Sequence, residues 1–256
     1  PVERLTARDG AGTVKRRRGE GAADMGNLGG AARLLLLETS GRGGFVALAE
    51  GAKLREVRRL EESRRHARDL APATAELLAE QGWKARDLDG VIVGRGPGSY
   101  TGLRVGVMSA KTLAYATDCA LIGVETFAVV AEQAPAGVGR ADVLADAQQE
   151  KVYVQSFGRE EGGWRPLNAL AVRPFAEWLA GRAADAWVSG PGLHRWAARL
   201  PAGVPIMDAT LWDPRPESLL RLGLARYTAG ERDDPFALEP LYLRPSAAEE
   251  QRARRR

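Results

Sequence analysis

Twice along this chain the same order of signals recurs, and that order restricts the fold more than any single motif. An apolar run ends in an acid (residues 34–37 into Glu38; 141–145 into Asp146), and hairpin turns follow. A later apolar run then passes through Gly-Pro-Gly into a helical stretch, at Gly96-Pro97-Gly98 and again at Gly190-Pro191-Gly192. The runs have strand length and are bounded by turn residues, so they read as buried strands. In the first half, antiparallel strands are expected over 34–37, 45–49 and on to Leu60. A helix over 65–80 follows, kinked or begun at Pro72. Then come a strand over 91–93, a helix over 103–117, a strand over 121–124 and a helix from Thr126 to about Gln133. The second half repeats this with strands at 141–145, 151–157 and 167–172, a helix at 175–180 and a strand at 186–189. A helix at 194–200, a last strand at 204–207 and a last helix at 217–228 complete it.

A three-strand meander followed by crossover helices makes a mixed sheet with helices on its faces. Its repetition marks a duplication. The expected fold class is therefore α/β, with two RNase H-like lobes facing each other across a cleft, as in the actin-like and sugar-kinase-like ATPase fold. The lobes are expected at 31–135 and 136–248. A disordered N-terminal extension over 1–30, which lacks any hydrophobic period, and a basic tail over 249–256 flank them. Because Met25 stands just ahead of the first strand, it is the expected natural start.

The net charge of +4 suggests a nucleic-acid binder until the charges are located. Residues 1–24 and 249–256 each carry an excess of two positive charges, and the body between them is neutral. Basic tails add weak attraction to RNA, although a solvated end is the simpler reading. The single cysteine, Cys119, excludes an internal disulfide and a multi-cysteine zinc site; it suits a reducing cytoplasm. No apolar run reaches the roughly twenty residues that span a bilayer, so no membrane partner is expected.

The stretch G-R-G-P-G-S-Y-T-G-L-R-V-G, residues 94–106, reads as strand, tight turn and helix. Free N–H groups at such a turn point along the helix dipole and form an anion cradle. Gly96, Gly98, Ser99 and Thr101 are accordingly candidate nucleotide or anion contacts. The alternative is a structural elbow whose close packing excludes side chains. The spacing matches neither G-x-G-x-x-G with a downstream acid nor G-x-x-x-x-G-K-[ST]. Glu38 and Asp146 can be read as phosphate- and metal-site acids or as turn caps. Gln148-Gln149-Glu150, bulky and acidic, opposes the first reading, because a second hairpin that holds a phosphate needs small residues.

On the helix over 103–117, Leu103, Gly106, Val107, Ala110 and Ala114 share one face, at 100° per residue. Arg104, Met108, Lys111 and Tyr115 form a second stripe. Exposed Met and Tyr among cations suit a partner interface; the alternative is that they fold back onto the helix over 65–80.

The segment V-I-V-G-R-G-P-G-S-Y-T-G-L-R-V-G (91–106) resembles the signature of the TsaB family, also called YeaZ. Around it L-L-L-E-T-S (35–40), R-R-H-A-R-D-L-A-P (64–72), G-V-E-T-F (123–127) and P-L-Y-L-R-P-S-A-A-E (240–249) follow in the family's order. The chain departs from it at Glu38, usually Asp, and at D-A-Q-Q-E-K-V-Y (146–153), usually D-A-R-R-x-E-V-Y. The resemblance implies a non-catalytic scaffold of the complex that installs N6-threonylcarbamoyladenosine at position 37 of ANN-decoding tRNAs. It implies TsaD, the transferase, and TsaE as partners, and a homodimer in their absence through the same N-terminal helices. Contact with tRNA would be indirect, and ATP or ADP would sit at the interface with TsaD. Catalytic relatives place two metal-binding histidines in a pattern like G-V-N-H-x-x-x-H. Here Thr126 and Val130 hold those positions, so no metal site and no cofactor of the chain's own are expected.

Two other functions compete with this one. A nucleotide-binding ATPase or small kinase of the same superfamily is the first alternative. A peptidase is the second, because Ser99 lies in a glycine-rich elbow. It lacks the G-x-S-x-G context, and the chain's two histidines, His66 and His194, lie far apart in sequence.

Overall fold

The computed structural model describes residues 31–60 and 66–243, with side chains from residue 69 onward in the second stretch. The termini, including the extension and the basic tail, lie outside the described residues, as does the side chain of His66.

Strand β1 (Arg33–Glu38) is apolar without alternation because both of its faces are covered. It pairs antiparallel with β2 (Phe45–Glu50), which pairs antiparallel with β3 (Lys53–Arg59). Helix α1 (His66–Glu80) leads to β4 (Gly90–Gly94), helix α2 (Tyr100–Thr117), β5 (Ala120–Val124) and helix α3 (Thr126–Ala131). The first sheet runs β3-β2-β1-β4-β5, with β4 parallel to both β1 and β5. Leu35, Leu37, Val46 and Leu48 face Leu70, Leu77, Val107 and Ala110 of α1 and α2. Leu34, Leu36, Phe45 and Ala47 face the other way. Helix α1 continues through Pro72 rather than starting there.

The second sheet is built from β6 (Arg140–Asp146), β7 (Lys151–Glu160), β8 (Gly163–Pro166), β9 (Ala171–Pro174) and β10 (Trp187–Ser189). Its order, β10-β6-β7-β8, keeps the arrangement of the first sheet's leading four strands. Two expected strands change. In place of one strand over 167–172, β8 and β9 pair with opposite ends of the ten-residue β7. The intervening loop is pinned by Asn168, whose Oδ1 accepts from Ser156 N–H at 3.0 Å. The expected strand over 204–207 is reduced to one bridge, Val188 to Ile206. Helix α4 (Phe175–Gly181) and the short α5 (Leu193–Trp196) cover one face through Phe175, Trp178, Leu193 and Trp196. The fold is thus two mixed sheets flanked by helices, the actin-like, RNase H-like arrangement.

The chain expected to stay in the second lobe through residue 248 does not all do so. Helix α6 (Pro216–Thr228) returns to the first lobe, where Leu219 and Leu220 cover the face of Leu34, Leu36 and Ile92. Its Gly223 lies so close to Ile92 that a Cβ there would come within 2.4 Å of that side chain. Helix α3 is shared. Its Val129 packs on the first sheet, while Phe127, Val130 and Ala131 pack on the second. Among the described residues no helix is long and apolar enough to cross a membrane.

Candidate functional site

The glycine elbow between β4 and α2 is filled by the chain itself. A Cβ on Gly102 would lie 2.0 Å from the Thr39 carbonyl oxygen, and one on Gly98 would lie 2.3 Å from that of Ser40. One on Gly106 would meet Thr39 Oγ1 at 2.2 Å. The glycines therefore let α2 rest on the turn after β1. Two of the elbow's N–H groups are engaged by neighbouring segments: Ser99 N–H donates to Ser40 O at 2.7 Å, and Gly96 N–H to Thr126 Oγ1 at 3.2 Å. Ser99 caps α2, its Oγ accepting from Gly102 N–H at 3.3 Å. Thr101 lies exposed within the first turn of α2. Of the four candidate anion contacts, Gly96 and Ser99 thus have their N–H groups committed to this chain, and Gly98 serves the approach to Ser40.

Glu38 is fully buried under this elbow. Its Oε1 accepts from Ser40 N–H at 2.6 Å, and its Oε2 accepts from the Thr126 hydroxyl at 3.1 Å. The carboxylate thus caps a turn and ties β1 to the start of α3. Burial pushes its pKa up; hydrogen bonds from Ser40 and Thr126 oppose that without cancelling it. Because the folded state holds this proton more tightly, the group's stabilising contribution is full below its ordinary pKa of 4.5 and is lost as pH rises through the folded value. Glu38→Gln is therefore expected to raise the melting temperature at pH 8 and to change it less at pH 4. A glutamine still accepts from Ser40 and presents its amide to the Thr126 oxygen. One kcal/mol corresponds to about 2–4 °C for a chain of this size, so thermal scans at the two pH values resolve the effect. A lower melting temperature at pH 8 would mean that the charged carboxylate is needed.

The corresponding turn in the second lobe is closed by charge. Asp146 Oδ1 accepts from Gln148 N–H at 3.0 Å, again a turn cap. Asp146 pairs with Arg195 at 3.1 Å; Glu150 pairs with Arg195 at 3.0 Å and also with Arg199. Arg199 holds the Glu150 carboxyl below the usual carboxylate range. Gln148, Gln149 and Glu150 all take left-handed backbone angles, φ 60°, 50° and 57°. Three such residues in a row without glycine are costly. Phe175 N–H, bonded to Glu150 O at 2.9 Å, and the two arginines hold the turn in place.

His194 Nε2 lies 2.7 Å from Asp213 Oδ2, in the second lobe, and Ser99 Oγ serves as a helix cap. That is no nucleophile–base pair. Thr126 is buried in the Glu38 network and Val130 lies in the core. Among the described residues no group of three His, Cys, Asp or Glu side chains could hold a metal ion.

The α2 stripe faces outward instead. Met108 is 56% exposed and Tyr115 69%, while Leu103, Val107 and Ala110 lie in the core. The C-terminal segment over 233–243 runs alongside as a strap, with Leu238 inserted into the core under α2. Lys111 Nζ donates to Leu238 O at 2.9 Å and Arg104 Nε to the Tyr242 hydroxyl at 3.2 Å. Tyr242 also packs on Tyr100, ring centroids 4.8 Å apart, and Phe236 meets Tyr115 edge-on at 5.4 Å. Phe236 is 77% exposed. Met108, Tyr115, Phe236 and Tyr242 are four of the six large hydrophobic side chains that stand exposed among the described residues. The two cations of the stripe therefore anchor the strap as well as rimming the patch. Tyr100, Phe236 and Tyr242 escape a sequence reading. The last two sit in P-F-A-L-E-P-L-Y-L, where neither helical nor strand period predicts a face.

Comparison with known proteins gives this geometry its relatives. The family model for TsaD, tRNA N6-adenosine threonylcarbamoyltransferase, matches residues 60–190. The tRNA threonylcarbamoyladenosine biosynthesis protein TsaB of Escherichia coli is 30% identical over 196 residues, covering 72% of this chain and 83% of that protein. The TsaB protein of Haemophilus influenzae is 33% identical over 222 residues, covering 82% and 93%. The solved structure of YeaZ from Pseudomonas aeruginosa superposes with a TM-score of 0.72 at 29% identity, covering 83% of this chain and all of that one. With the elbow motif, the two-lobed fold and these matches in agreement, the chain belongs to the TsaB (YeaZ) family.

Proposed function

We propose that this chain is a non-catalytic subunit of the machinery for tRNA threonylcarbamoyladenosine biosynthesis, binding and activating a TsaD-type transferase through the α2 face and its strap. One contrast carries the reading. Both turns that would hold a nucleotide's phosphates are filled by the chain's own groups, at Thr39–Ser40 and at Glu150 with Arg195 and Arg199. Four of the six large exposed apolar side chains among the described residues gather elsewhere, on α2 and the strap. A patch of Met and aromatic residues rimmed by cations suits a protein partner.

The same face would form the homodimer when TsaD is absent, the two contacts competing. TsaE would join the complex, and ATP or ADP would bind at the TsaD interface rather than in this chain's cleft. Contact with tRNA would come through the complex, in the cytoplasm. The test is co-purification with the same organism's TsaD, followed by threonylcarbamoyl transfer to tRNA. TsaD inactive alone and active with this chain is the expected result. No binding and no change in rate would overturn it. Titration of the isolated chain with ATP, with and without magnesium, addresses the ATPase or kinase alternative; saturable binding would favour that alternative.

A further inference from the structure

Two stretches of chain cross between the lobes, 132–139 after α3 and 208–215 ahead of α6. Actin-like folds flex at their crossovers, because hinge closure needs a few residues free to change φ and ψ. Here the crossovers are tied to each other and to both lobes. Gln133 Nε2 donates to Leu211 O and to Asp213 O, each at 3.0 Å. Its Oε1 accepts from Arg215 N–H at 2.7 Å. One side chain on the first crossover thereby satisfies three backbone groups on the second.

The neighbours extend the tie. Arg159 of β7, in the second lobe, donates to the carbonyls of Ala134 and Pro135 at 2.8 Å and of Val138 at 2.9 Å. Arg221 of α6, packed on the first lobe, donates to Glu132 O at 3.1 Å and pairs with the largely buried Glu132 carboxylate. On the second crossover, Ser189 Oγ donates to Leu211 O at 3.0 Å and His194 meets Asp213. Carbonyls that a moving hinge would leave to water are occupied by side chains.

We infer that Gln133 is the clasp that fixes the angle between the two lobes, so that the chain acts as one rigid body and does not open and close around a cleft ligand. A chain without interlobe motion has none to freeze out when a partner binds.

The test uses the full chain by itself. Spin labels at Glu56 on β3 and Glu177 on α4, in a Cys119→Ser background, report the distance between the lobes. The expected result is one narrow distribution, unchanged by magnesium and ATP, that broadens in Gln133→Ala. A broad or nucleotide-shifted distribution in the unmutated clasp would overturn the inference, as would a folded Gln133→Ala with an unbroadened one. Should Gln133→Ala not fold, amide hydrogen exchange decides without it. The Arg215 amide, bonded to the Gln133 side chain, should exchange at least a hundredfold more slowly than an unstructured amide; exchange at the unstructured rate would refute the clasp. In Gln133→Glu the acceptor for Arg215 remains while both donations are lost, so Arg215 should stay protected while the distance distribution broadens. A distribution as narrow as that of the parent would count against the clasp.

Discussion

Gly102→Ala should cost this protein about 4 kcal/mol or more, a value at the upper end of overpacking effects. The added Cβ would lie 2.0 Å from the Thr39 carbonyl oxygen, and neither side can retreat cheaply. Thr39 Oγ1 donates to Gly102 O at 2.8 Å, and Ser99 N–H binds Ser40 O. Gly106 holds α2 against the same threonine one turn later. At about 2–4 °C per kcal/mol for this size, the melting temperature should fall by roughly 8–16 °C. Gly137→Ala is the matched control, because nothing lies within 4 Å of its Cβ position and its φ is ordinary. It should stay within about 0.5 kcal/mol of the parent. Equal melting temperatures for the two variants would show that the elbow is softer than its contacts indicate.

Met108→Asp should leave the fold intact and remove most of the affinity for TsaD. The side chain stands in water across more than half its surface, so the substitution disturbs little of the core. In a complex it would set a carboxylate among Tyr115, Phe236 and whatever packs on them. A central interface residue contributes about 2 kcal/mol or more, so affinity should fall by roughly thirtyfold or more. Titration calorimetry gives the affinity and a thermal scan the stability. Phe236→Asp, on the strap, should act in the same direction. If Met108→Asp melts as the parent does and binds TsaD equally well, the docking surface lies elsewhere.

Much of this was legible in the chain, for a physical reason. Strands such as β1 and β4 are covered on both faces and so announce themselves as unbroken apolar runs. The elbow announces itself because only glycine tolerates its contacts. Arg104, Met108, Lys111 and Tyr115 emerge from helical period alone, and they share one exposed-to-half-buried stripe beside the strap. Long-range relations were not legible. Helical period in α6 gives an apolar face but not its destination on the first sheet, since Leu219 and Leu220 would suit either lobe. The division of β8 from β9 depends on Asn168 bonding to Ser156, a side-chain event with no period. The clasp rests on a single glutamine whose three partners lie 78 to 82 residues away, which no local pattern encodes.

The return of α6 to the first sheet also sets an order of assembly during synthesis. Residues 140–207 leave the ribosome as a contiguous block that contains every strand of the second sheet. The first sheet's strands leave earlier, yet one face, with Leu34, Leu36, Phe45 and Ile92, has only Val129 of α3 as helical cover until Leu219 and Leu220 arrive. The lobe made first is therefore the lobe finished last. During that interval a nascent chain carries an open apolar sheet face, the kind of surface on which chaperones act and from which aggregates grow. A stop codon shortly before Pro216 would make that interval permanent, although every strand of both sheets would already be present.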